Sequence, residues 1–366
     1  MKIGILTFQR AQNYGAFLQA FATKSFLSSN GYEVEMVDYW PKEHADYVNK
    51  RKLTMSTPLG KAKQLTFYAL CDPLFRRRKL KMNLLRRKYL GISGWPKYRK
   101  GEELRYTDYD AVIYGSDQIW WNHTVYSDAI AYDKTYWGYY LPSRTKRIAY
   151  APSMGIIDIR EEDKEFIREA LNNFCDLSTR ETNLQEAIRP YTNKPITTVL
   201  DPVFLPDKEF WMQHIKKRRI KEPYLLYYSL IPTPESYSHA ADMAKKKGLR
   251  LIEIAPHVRD FRPSPNLIQT ADALDFLSLI YYADYVVSTS FHGTALSIVL
   301  EKEFCVVGLG ERSGRVVSLL TQLGIPERYT VQPAALGSIN YQHVNEQLNK
   351  LQKTSRDYLL NAIKAK

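Results

Sequence analysis

Short apolar runs, each ending in small or polar residues and followed by a stretch of helical period, recur along this chain in two series. That alternation constrains the fold more than any other feature. An apolar run with no period of its own is buried on both faces, and a helical crossover behind it makes the sheet parallel. In the first series Lys2–Phe8, Glu33–Asp38, Ala111–Tyr114, Arg147–Ala151 and Asp176–Ser178 read as strands, with helices expected over 16–28 and 161–173. In the second, strands are expected at Tyr224–Ser229, Arg250–Ile254, Tyr285–Ser288 and Phe304–Val307, with helices over 235–247, 272–282, 293–300 and 315–323. The alternation changes register around 182–222. The expectation is an α/β protein of two doubly wound units. The first covers 1–180, a connecting region 181–222, the second unit 223–340, and a terminal helix 341–366 can cross back. Two such units face each other across a cleft, and ligands of open α/β sheets bind beyond the carboxyl ends of the strands.

Residues 41–105 interrupt the first series and read as an insertion. The segment 42–105 holds 18 Lys or Arg against 5 Asp or Glu, +13 by difference, and the whole chain is also +13. The remainder therefore sums to about zero. The charge is densest at Arg76-Arg77-Arg78-Lys79-Leu80-Lys81 and Arg86-Arg87-Lys88. Any one of these residues is most simply part of a solvated helical face. Together, residues 76–88 are expected to make peripheral contact with an anionic membrane surface. No nucleic-acid partner is expected, because no nucleic-acid-binding motif accompanies the charge.

Other classes are excluded by what the chain lacks. No run approaches the length of a membrane span. The opening MKIGILTF has no apolar segment ending in a cleavage site, so no signal peptide is expected. Cys71, Cys175 and Cys305 are far apart, which argues against a disulfide framework and for a reducing, cytoplasmic compartment. The seven histidines do not group with Cys or carboxylates at ligand spacing, so no metal site is expected. There is no Walker sequence, no Gly-x-Ser-x-Gly elbow and no Gly-x-Gly-x-x-Gly.

Five polar clusters each follow an expected strand. Asn13-Tyr14-Gly15 opens the first helix, where backbone N–H groups can meet an anion, although one glycine makes an ordinary turn equally well. Ser116-Asp117-Gln118, with Trp120, follows the third strand. The cluster caps a helix in the plain reading, and in the sharper one presents amides and an aromatic face to a saccharide. Arg180 lies just past a strand and offers a planar fork for carboxylate or phosphate. Ser288, Ser290, His292 and Gly293 surround a strand-to-helix turn in which His292 is a candidate proton carrier. Arg312 and Arg315 stand in and beside a glycine-rich stretch suited to an anion.

The blocks GILTF…QNYGAFLQAFA, DAVIYGSDQIWW, IAYAPSMG, LSTRE, VLDPVFL, YYADYVVSTSFHGTALSIVLEKEF and SGRVVSLLTQLGI occur in that order. Taken together they resemble the polysaccharide pyruvyl transferases, from residue 1 to about 330. The resemblance implies a GT-B-like fold of two Rossmann-like domains with the active site between them. It also implies phosphoenolpyruvate as donor substrate, with no cofactor. The acceptor is a hexose of a capsule or exopolysaccharide, or of its lipid-linked precursor. Asp117, Arg180 and His292 fall where the family's functional residues sit. One position departs: well-studied ketal-forming members carry an Arg two residues before the His, and here that position is Ser290. Arg312 or Arg315 then has to supply the cation, or the donor differs. A nucleotide-sugar glycosyltransferase on the same fold and a non-catalytic saccharide-binding protein are the rival readings.

Overall fold

The computed structural model describes residues 1–44, 55–122, 132–230, 232–262, 264–308, 310–330 and 336–365. Two parallel sheets organise the chain. The first contains β1 (Lys2–Leu6), β2 (Glu33–Met36), β3 (Ala111–Tyr114), β4 (Lys146–Ala149), β5 (Asp176–Thr179) and β6 (Ile196–Thr198), in the order β2-β1-β3-β4-β5-β6. The second contains β7 (Tyr224–Tyr228), β8 (Arg250–Ile254), β9 (Leu267–Ile268), β10 (Tyr285–Ser288) and β11 (Phe304–Val306), in the order β11-β10-β7-β8-β9. Strands β3, β7 and β10 are buried along their whole length, as their uninterrupted apolar runs require. Each sheet reverses its winding once, between β1 and β3 in the first and between β7 and β10 in the second. Those two switch points are where crevices form.

The protein is thus α/β with two Rossmann-like units, in the GT-B-like manner. The first sheet extends past residue 180, because β6 lies within the 181–222 stretch that reads as a connection. Its Ile-Thr-Thr sequence is half exposed and offers no apolar run to recognise. The two-residue β9 escapes sequence reading for the same reason.

The first helix, Tyr14–Ser29, is apolar on nearly every side and buries 11 of its 16 residues. A helix of that kind belongs inside a core, and it lies where the two units meet. The Tyr14 ring stacks on Phe276 of the second unit, with centroids 5.0 Å apart. A single hydrophobic cluster joins Ile3 and Phe17 to Leu226 and Phe276. The terminal helix Tyr341–Lys364 runs back over the first unit: Tyr358 donates to Ala149 O at 3.0 Å and Gln352 to Phe204 O at 2.9 Å.

The basic segment contains one long helix, Pro58–Leu85, started by the Thr57 side chain. Residues 76–88 are not a uniform outward patch. Arg78 and Arg86 are buried. Arg78 donates to Gln12 O at 3.0 Å and to the Tyr14 hydroxyl, and reaches Ala255 O (3.4 Å) and Ala271 O (3.5 Å) across the junction. Arg86 donates to Gln9 O at 3.0 Å and Ala11 O at 2.5 Å. Lys81 pairs with Asp275 of the second unit at 2.9 Å. Helical period turns part of a linear charge run inward, where backbone carbonyls satisfy it.

Arg78→Ala should destabilise the fold by about 2–4 kcal/mol, since it strips partners from buried acceptors on both units. Arg77→Ala, one residue away on the exposed side, should stay within about 0.5 kcal/mol of wild type. Denaturant unfolding of the two variants checks this, and equal effects would refute the division.

Candidate active site

The carboxyl ends of the strands converge on one buried polar cluster. After β3 the chain turns at Gly115, with φ +120°, where a Cβ would stand 2.1 Å from Tyr150 O, so only glycine fits. Asp117 follows in the left-handed region at φ +81°, and this turn sets Ser116 inward. Arg180 follows β5 and Asp201 follows β6. His292 comes from the second unit, at the start of the helix Phe291–Val299 behind β10.

Asp201 is the hub. Its Oδ1 caps the short helix Pro202–Phe204 by accepting from Val203 N at 3.1 Å. That leaves Oδ2 to accept from Arg180 Nη1 at 2.7 Å, with Ser116 Oγ 3.1 Å away and His292 Nε2 at 3.6 Å. At 3.6 Å the ring and the carboxylate interact electrostatically, beyond hydrogen-bond range. Burial alone would raise the Asp201 carboxyl, but His292 and Arg180 outweigh it and hold the group well below the usual carboxylate range. Burial likewise opposes the charge on Arg180, yet Asp201, Glu181 and Asp117 favour it and the guanidinium is raised.

A second arginine enters from the start of helix Gly314–Gln322. In the amide orientation that satisfies both groups, Gln118 Oε1 accepts from Arg315 Nη1 and Nη2 at 2.9 and 2.8 Å. The Phe291 ring stands 4.7 Å from the Arg180 guanidinium and 6.0 Å from that of Arg315. Burial, then the neighbouring Arg180, pull Arg315 down to about 10. Glu181 is buried 3.6 Å from Arg180 Nε and accepts from Ser153 Oγ at 2.6 Å. Burial raises its carboxyl despite both arginines. Arg180 Nε and Nη2, Arg315 Nε and His292 Nε2 are buried and make no hydrogen bond among the described residues. Four donor-capable nitrogens left so are costly unless something anionic meets them. Among the described residues no group of His, Cys, Asp or Glu is placed to hold a metal ion.

The sequence-expected residues divide into those brought together and those turned elsewhere. Ser116, Asp117, Gln118, Arg180, His292 and Arg315 meet in the cluster. Gly15 meets it through its backbone: a Cβ there would stand 2.2 Å from the His292 ring, so glycine makes room for the imidazole. Asn13 caps the first helix, accepting from Gly15 N at 2.8 Å. Ser288 and Ser290 build the turn, with Ser290 N donating to Ser288 Oγ at 3.0 Å, and Gly293 packs on Ser288 Oγ. Two expectations are corrected. Trp120 is fully buried, stacked on Trp137 at 4.6 Å with its N–H on Tyr136 O, so it offers no face to a sugar. Tyr14 donates to Ala255 O in the junction between the units and is structural. The Arg312 side chain lies outside the described residues.

Asp201 and Ser153 are absent from the sequence reading of the site, while Glu181 and Phe291 lie inside its clusters beside Arg180 and His292 and carry no role there. Asp201 obeys the rule that found the others, a polar residue just past a strand, but β6 itself was not legible. Glu181 adjoins Arg180 and reads as its surface partner until burial is known.

Asp201→Asn should destabilise the fold by about 3 kcal/mol at neutral pH, because Arg180 loses the charge paired with it. The native carboxyl is depressed, so its contribution is complete above the unfolded value of about 4 and shrinks as pH falls below that. Unfolding free energies of both proteins between neutral and acid pH check this; a gap that widens on acidification would contradict it.

Solved structures of related shape include UDP-GlcNAc 2-epimerase from Neisseria meningitidis bound to UDP-GlcNAc. It is 12% identical over 99% of this chain and 94% of that one, with a TM-score of 0.45. The glycosyltransferase SnogD from Streptomyces nogalater is 9% identical over 99% of both chains, with a TM-score of 0.39. These likenesses are too remote to bear on chemistry. Comparison with curated protein sequences gives no significant match. The family model for polysaccharide pyruvyl transferase, by contrast, matches residues 13–311, which takes in Arg180, Asp201 and His292 together with the strands that carry them. On that match the chain belongs to the polysaccharide pyruvyl transferase family.

Proposed function

We propose that the protein transfers the enolpyruvyl unit of phosphoenolpyruvate to a hexose of a surface polysaccharide or its lipid-linked precursor, forming a pyruvate ketal and releasing phosphate. One observation carries this reading: two arginines leave buried N–H groups unpartnered among the described residues, beside a histidine that a carboxylate faces. Phosphoenolpyruvate combines a carboxylate and a phosphate on a small frame, and arginine forks suit both.

His292 delivers a proton to the methylene carbon, and C2 becomes oxocarbenium-like. One sugar hydroxyl adds to C2, and its proton returns to His292. A second hydroxyl of the same sugar then attacks C2 as the C–O bond to phosphate breaks, the electron pair and the remaining proton leaving with phosphate. Asp201 positions the imidazole and faces its charge while it holds the proton. Arg180 and Arg315 bind the donor's anionic groups and stabilise the charge on the departing phosphate. Arg315 thereby fills the electrostatic place left open at Ser290. Asp117, at the rim, positions the acceptor hydroxyl.

Acceptors incubated with phosphoenolpyruvate should gain the ketal by mass spectrometry with stoichiometric phosphate release. His292→Ala should lower turnover about 10²–10⁴-fold while the protein stays folded. Near-normal turnover would make His292 structural. Arg180→Lys should be nearly as damaging as Arg180→Ala, since an ammonium cannot reproduce the fork; two variants close to wild type would remove Arg180 from the site. Thermal stabilisation by a nucleotide sugar and not by phosphoenolpyruvate would overturn the donor assignment in favour of glycosyl transfer.

A further inference from the structure

Among the described residues, the strongly exposed leucines are Leu59, Leu65, Leu70, Leu80 and Leu84, between 49% and 67% exposed. All five lie on one helix, Pro58–Leu85. Isolated exposed leucines are ordinary, but a set gathered on one element marks an interaction surface. At 3.6 residues per turn, Leu59, Leu70, Leu80 and Leu84 fall within an arc of about 80°. That arc is turned away from the buried face of Cys71, Arg78, Met82 and Leu85. Phe67 of the same helix touches the exposed ring of Phe261, which carries the apolar surface onto the second unit.

Exposed cations flank the leucines: Lys61, Lys63, Arg76, Arg77 and Lys79. The helix has one acidic residue, Asp72, which pairs with Arg76. We infer that this outer face docks on an anionic lipid bilayer, with leucines entering the headgroup boundary and the basic residues meeting lipid phosphates. The two properties select this occupant together. A second copy would bring two strongly basic helices face to face. A soluble polyanion would satisfy the cations and leave the leucines in water. An anionic bilayer accommodates both, as interfacial helices require. No helix among the described residues is long and apolar enough to cross a membrane, so the contact is peripheral. The inner face of the same helix, through Arg78, holds Gln12 and Tyr14 just ahead of Gly15, against which His292 packs. Docking therefore sets the cleft beside the surface on which a lipid-linked saccharide is presented.

Vesicle sedimentation tests this with phosphatidylcholine vesicles lacking or containing about one-third phosphatidylglycerol. The wild-type protein should bind the anionic vesicles, less so as salt rises, and should not bind the neutral ones. Lys63→Gln, Arg77→Gln and Lys79→Gln combined should weaken partitioning about 100-fold at low salt. Leu70→Ser, Leu80→Ser and Leu84→Ser combined should weaken it at least about tenfold with the charges intact. All the substituted side chains are exposed, so melting temperatures should stay at the wild-type value. No binding to anionic vesicles would overturn the inference, as would leucine variants that bind like wild type. So would a concentration-dependent dimer, seen by ultracentrifugation, that the leucine variants dissolve. Turnover on a soluble hexose should be unchanged in both variants, so failure of docking and failure of the transfer reading are read separately.

Discussion

Asp201 Oδ2 serves Arg180 of the first unit at 2.7 Å and His292 of the second at 3.6 Å, inside a site from which water is largely excluded. Ions are stable there only when each meets a countercharge and its hydrogen-bonding capacity is used. The cluster meets the first condition, with Asp201 and Glu181 set against Arg180 and Arg315. It leaves the second unmet at several guanidinium nitrogens. A site whose guanidinium N–H groups are short of acceptors is prepared to receive an anion. Because the hub takes partners from both units, the geometry exists only when the units are correctly docked.

That docking is built from contacts a sheet could not supply. Tyr14 stacks on Phe276, Arg78 ties Gln12 and Tyr14 to carbonyls across the junction, and the terminal helix returns to hold the ends of β4 and β6. Gly15 lets the first helix approach until its backbone lies on the His292 ring. His292 is thus positioned by a helix of the opposite unit, and the core shared by the two units is part of the site's construction.

The strands were legible wherever burial on both faces left an apolar run, as at β3 and β7. They were not legible where a strand was two or three residues long, as at β6 and β9. Missing β6 concealed Asp201, although its chemistry is of the kind recognised at Arg180 and His292. The tryptophan at 120 misled because an indole beside amides reads equally as a saccharide platform and as core. The stack on Trp137 decides for core, and Trp137 lies in a part of the chain that carries no strand or helix pattern.

By itself the sequence determined the α/β alternation, its division into two series, the ordered family blocks and the polar residues at strand ends. These are local properties, set by side-chain period and by which residues can follow a buried strand. Only the tertiary structure decided which of those residues share a site. Distances between residues a hundred or more positions apart depend on how two sheets dock, and no local pattern encodes them. The same holds for the basic run, whose residues are chemically alike along the chain. Helical period and a neighbouring surface turned Arg78 inward to carbonyls and left Arg77 and Leu80 facing out.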